Sequence, residues 1–171
     1  MKSGILLAIL FVLLVSGCAE RQEAAAAPVS TTVAAAEGRL RIEELPGTWT
    51  IVHEKSDSIR SVYLLEKKGE NITALIGAVT HASPESAASS FQYLDNLYRG
   101  NKSVSRIAQA ECFFHENTNA SGFTFLLTVA CMRQTTVVTV ALSSETMPYD
   151  ALLHQRYAAD IAQFMLVAPP G

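Results

Sequence analysis

"ECFFHENTNASGFTFLLTVACMRQTTVVTVAL", residues 111 to 142, decides the fold class. The stretch reads as three antiparallel strands joined by short turns. With Ser121-Gly122 as a two-residue hairpin loop, facing residue numbers sum to 243, which pairs Cys112 with Cys131 and Phe114 with Val129. Side chains alternate between the two faces of a strand, so Phe123, Phe125, Leu127, Val129 and Cys131 share one face. Thr124, Leu126, Thr128 and Ala130 make a more mixed second face. A tight turn near Arg133-Gln134 sets Thr136, Val138, Val140 and Leu142 beside the core face.

Upstream, "RLRIEELPGTWTIVHEK" (39 to 55) gives a short extended piece, a Pro46-Gly47 turn and a strand around Thr48 to His53. "SVYLLE" and "ITALIGAVTH" read as strands on either side of a charged turn, "EKKGEN" (66 to 71). "SPESAASSFQYLDNLYRG" (83 to 100) then changes period, with Ala87, Phe91, Leu94 and Tyr98 on one helical face. Ser83 fits an N-cap, Pro84 the first helical position, and Gly100 a stop. A last helix runs from about Pro148 to Leu166, with Leu153, Tyr157, Ile161 and Phe164/Met165 on its core side. His154, Arg156, Asp160 and Gln163 face elsewhere. Strands, helix, three strands and helix imply an α+β domain: an antiparallel sheet with a middle helix and a C-terminal helix packed on it.

The N-terminus carries an address. Lys2 is followed by twelve uncharged, mostly apolar residues from Gly4 to Val15, too short for the roughly 20 that a spanning helix wants. The pattern fits a cleaved secretory signal over residues 1 to 17. Val15-Ser16-Gly17-Cys18 resembles the lipobox of bacterial lipoproteins. That resemblance implies that Cys18 becomes a multiply acylated N-terminus, and several chains hold far more firmly than one. An ordinary signal peptide that contains a cysteine is the alternative. Ala at position 19, where Asp would retain a Gram-negative lipoprotein, implies sorting to the outer membrane, facing the periplasm. Residues 18 to 38 hold the lipidated Cys18 and an alanine-rich stretch with two valines as its only larger apolar residues. It reads as a disordered tether, because it buries too little to offset chain entropy.

Residues 39 to 171 suffice for one domain with a real core. They carry 11 Lys and Arg against 13 Asp and Glu, a net of −2 with no basic stripe, which disfavours nucleic acid as a partner. The mean hydropathy of +0.22 is raised by the leader and the alanines. Cys112 and Cys131 keep two readings. Export favours a disulfide, and the assumed loop puts the pair at a hydrogen-bonded position with Cα atoms ~5.5 Å apart. Two buried free thiols are the other reading.

The element order resembles the PsbP-like fold, including DcrB-type bacterial lipoproteins. The residues that carry it are "LPGTW", "SPESAASSF" and "YAADIAQFMLV", over Leu45 to Val167. The resemblance implies a binding or assembly factor rather than a catalyst, and it brings no catalytic residues.

Local chemistry is sparse. His53, His81, His115 and His154 show no metal-ligand spacing, and His53-Glu54 and His115-Glu116 point to opposite strand faces. No nucleophile elbow or phosphate loop occurs. Trp49, Tyr63, Tyr93, Tyr98 and Tyr157 read as core or core-edge residues, with a ligand groove as the alternative. The expectation is therefore a membrane-anchored, non-enzymatic binding or assembly module of the cell envelope, without metal or cofactor. Its partner would be an envelope protein or a small ligand. A small periplasmic enzyme, with a site assembled from dispersed histidines and acids, is the competing reading.

Overall fold

Segments rich in β-branched and aromatic residues form the strands of a single sheet, and two helices supply the remaining layers. The computed structural model describes residue 45 and residues 47 to 98, 102 to 118, 125 to 144 and 150 to 167. The signal peptide, Cys18, the tether and the Ser121-Gly122 loop lie outside the described residues. In chain order the elements are β1 (Trp49–Ser56), β2 (Arg60–Lys67), β3 (Ile72–Thr80), α1 (Pro84–Leu97), β4 (Lys102–Ile107), β5 (Ala110–Thr118), β6 (Phe125–Arg133), β7 (Thr136–Ser144) and α2 (Ala151–Val167). They form one seven-stranded antiparallel sheet, ordered β1-β2-β3-β7-β6-β5-β4, and the domain is α+β.

Burial on both faces of β6 and β7 explains their apolar run. One face presents Cys112, Leu127, Val129, Cys131, Val138, Val140 and Leu142 to Ala158, Ile161 and Ala162 of α2. The other face belongs to α1, whose Phe91 ring lies 5.4 Å from that of Phe113. Since Cys112 and Phe113 are consecutive on β5, the two helices cover opposite faces. Ser83 caps α1 by accepting a hydrogen bond from the backbone N–H of Ser86 at 3.2 Å.

The register between β5 and β6 pairs Cys112 with Cys131 and Phe114 with Val129. A disulfide joins the two cysteines, both fully buried. Their Cα atoms are 4.1 Å apart, nearer the ~4.5 Å of a non-hydrogen-bonded pair than the ~5.5 Å expected. Between β6 and β7 the turn is Gln134-Thr135, one residue later than expected, because Arg133 pairs with Thr136. That displacement moves the register by two, so every side chain keeps its face.

Two further expectations are corrected. Four strands follow α1, not three: β4 is an edge strand of polar residues and lacks a hydrophobic alternation to announce it. In α2 the buried stripe is His154, Ala158, Ile161, Ala162 and Leu166. Small Ala158 and Ala162 let the helix approach the sheet closely, so the buried stripe centres on them, while Leu153 and Tyr157 fall at the margin. His154 is 4% exposed, with Nδ1 2.6 Å from the Asp150 carbonyl oxygen, which marks Nδ1 as the donor.

Candidate functional site

The register gives the sheet two distinct ends. At one end lie Trp49, Lys67, Ile72, Ser144, Phe125 and Thr118, the partners along successive strand ends. Leu45, the most N-terminal described residue, is buried in the core cluster with Trp49. The opposite end carries the β1–β2, β4–β5 and β6–β7 turns. Nine-residue β6 separates the ends by about 27 Å, at ~3.4 Å per residue.

At the first end Lys67 is buried, its side chain 4% exposed, although the sequence places it in a charged turn. Its ammonium lies 5.1 Å from the centre of the Trp49 ring and 4.4 Å from that of Tyr157. The Glu70 carboxylate is 3.7 Å away and accepts from the Tyr157 hydroxyl at 3.1 Å. Trp49 and Tyr157 meet edge to face at 6.0 Å. Burial, and then the Glu70 hydrogen bond, hold the Tyr157 phenol above its ordinary pKa. A desolvated ammonium between two rings is worth about 2 kcal/mol or more. Gly47, at φ +101°, closes the cage: a Cβ there would stand 2.5 Å from the Lys67 nitrogen. The cage joins β1, β2 and α2 at the root of the N-terminal segment.

At the opposite end a cleft of about 420 Å³ is lined by Arg106, Gln109, Glu111, Met132, Arg133 and Gln134. Arg106, Glu111 and Met132 form one row across β4, β5 and β6. Gln109 and Gln134 project from turns in the left-handed region, at φ 67° and 53°, which non-glycine residues adopt at a cost. Arg133 donates to the Leu166 carbonyl at 2.8 Å and so ties its turn to the end of α2.

Beside the cleft runs the open edge of β4. Lys102, Val104 and Arg106 alternate onto the face that α1 covers further in, since Val104 pairs with Phe113. Val104 is 71% exposed. Lys102 is held by Asp95 and lies over the Phe113 ring, whereas the Arg106 side chain, beside Glu111 across the ladder, has no hydrogen bond or ion pair with another described residue.

The candidate site residues distribute as follows. Cys18 lies outside the described residues, and Cys112 and Cys131 are core. Of the five aromatics weighed as a groove, Trp49 and Tyr157 meet in the cage and Tyr63 is buried. Tyr98 packs on Phe113 and His115 on the opposite face, and Tyr93 is exposed. They make no common groove. His53 is exposed, while His81 and His115 are half-buried, and burial holds both imidazoles below their ordinary pKa. Among the described residues, no three His, Cys, Asp or Glu side chains are placed to hold a metal ion. Nor is any described helix long and apolar enough to cross a membrane.

No family model and no curated protein matches the chain. Among solved structures, it is similar to the extracellular domain of PknH from Mycobacterium tuberculosis, with a TM-score of 0.41 and 11% identity. That match spans 63% of this chain and 64% of that one.

Proposed function

We propose that this chain is a lipoprotein of the bacterial envelope. Cys18 anchors it to the membrane, on the periplasmic side of the outer membrane, and its PsbP-like domain acts as a non-enzymatic binding or assembly module. The observation that carries the reading is Val15-Ser16-Gly17-Cys18 behind a short apolar run. The position of Leu45 supports it. Leu45, the most N-terminal described residue, and the Lys67 cage belong to one end of the sheet, and the cleft and the open turns to the other. A module rooted at one end presents the other to a partner.

Proximity crosslinking from the full chain in membranes, with identification of the attached proteins, tests this. The expected result is a defined set that is lost when Cys18→Ser detaches the chain. The same set from anchored and detached chain, or none beyond that of an unrelated lipoprotein, contradicts the reading.

A further inference from the structure

We propose that the outer edge of β4 is a docking strand for an extended segment of a partner protein, with acidic residues flanking a central apolar residue. The inference rests on the binding-module reading and specifies its surface. β4 is the last strand of the sheet, so its outer backbone groups have no partner strand among the described residues. Such an edge accepts a further strand through main-chain hydrogen bonds, and alternate side chains supply the selectivity.

Three features distinguish this edge from the other one. β4 pairs with β5 in unbroken register over six residue pairs, so its edge is regular. β1, at the opposite edge, has a register shift between Ile51 and His53, which bends an edge away from pairing. On one face β4 offers Lys102, exposed Val104 and Arg106, a cation–apolar–cation row with the spacing of a strand. Glutamates opposite the cations and valine opposite Val104 complete favourable cross-strand pairs. Lys102 is already paired with Asp95, and Arg106 faces Glu111 across the ladder without an ion pair, so Arg106 carries most of the discrimination. The cleft begins at Arg106 and gives the segment a place for one further side chain.

The same row argues against a second copy as the occupant. The register that sets Val104 against its own copy places Lys102 opposite Arg106, and like charges directly opposite are unfavourable. The basic edge therefore rejects itself and admits an acidic strand, a selectivity built from repulsion as well as attraction.

The test uses the full chain purified in detergent and a labelled peptide, acetyl-Thr-Glu-Ser-Val-Ser-Glu-Thr-amide. A control peptide carries Lys in place of both Glu. Fluorescence anisotropy should show saturable binding of the acidic peptide, weakened about tenfold by Arg106→Glu, with the basic peptide now preferred by that variant. Amide shifts should fall on residues 102 to 107. Val104→Asp should weaken acidic-peptide binding while the melting temperature stays unchanged, since the side chain is exposed. No binding up to about 1 mM peptide overturns the proposal. So does equal binding of both peptides, or shifts confined to β1. If envelope proteins crosslink in membranes but a photoreactive residue at position 104 captures none of them, the edge assignment falls and the binding-module reading stands.

Discussion

Lys67 holds its ammonium 4.4 Å from the centre of the Tyr157 ring, which joins the end of β2 to the middle of α2. Trp49 closes the second side of the cage and Glu70 supplies its carboxylate. A buried cation with these partners is costly to uncover and costly to remove. Lys67→Ala should lower stability by about 2–3 kcal/mol through lost cation–π attraction and lost packing of the stem. Lys67→Met keeps most of the stem, so its loss relative to the parent chain isolates the charge, and the further loss in Lys67→Ala isolates the stem. Urea midpoints read both, and an unchanged midpoint for Lys67→Ala would mean that the cage does not hold β1 and α2 together.

The close seat of α2 yields a second expectation. Ala158 is fully buried against the sheet, while Leu152 is 78% exposed. Ala158→Leu should destabilise by about 1–3 kcal/mol through overpacking, and Leu152→Ser should leave the melting temperature unchanged. Equal melting temperatures for Ala158→Leu and the parent chain would place the buried stripe on another side of the helix.

Acid should weaken the domain in two stages. Burial lowers the pKa of His81 and His115, so the folded state binds fewer protons than the unfolded state just below pH ~6.5. The stability from keeping them neutral is present above pH ~6.5 and is lost as pH falls through their lower folded values. Asp57 has a lowered pKa because its carboxylate accepts the Ile59 and Arg60 backbone N–H groups. Its contribution has the same sign but disappears only below pH ~4. Melting temperatures between pH 7 and 5 should decline, and His115→Gln should flatten part of that slope. A melting temperature that rises as pH falls below 6 is the opposite outcome.

The Cys112–Cys131 disulfide closes a separation of 19 residues, for which chain entropy gives roughly 3 kcal/mol. Reduction should lower the melting temperature without unfolding the domain, and it should be slow because both cysteines are fully buried. Alkylation without reductant, read by mass spectrometry, should leave both unmodified. Two alkylated cysteines would mean free thiols.

Residues 111 to 142 are the most legible part of the fold. Their alternation and the two cysteines specify the β5–β6 pairing, which the structure reproduces residue by residue. Alternation has a period of two, so it survives a turn placed one residue early, as at Gln134-Thr135. β4 is silent in the sequence because an edge strand in contact with water needs Ser, Lys and Arg rather than an apolar row. In α2 Ile161 is buried as expected and Tyr157, Phe164 and Met165 pack against the core. The centre of the stripe is missed because hydrophobicity favours Leu153 and Tyr157, whereas close packing favours Ala158 and Ala162. The Lys67 cage is hidden for a different reason. Its members, Trp49, Lys67, Glu70 and Tyr157, come from three elements, and none of them alone marks a site.

Anchoring through Cys18 is tested most directly by the intact mass of the full chain extracted from membranes, beside the Cys18→Ser variant. The predicted result is a chain that begins at residue 18 and carries the added mass of several acyl chains, with the variant unprocessed or released. An unmodified chain cleaved at another position, or a variant that is cleaved and retained like the parent, would contradict it.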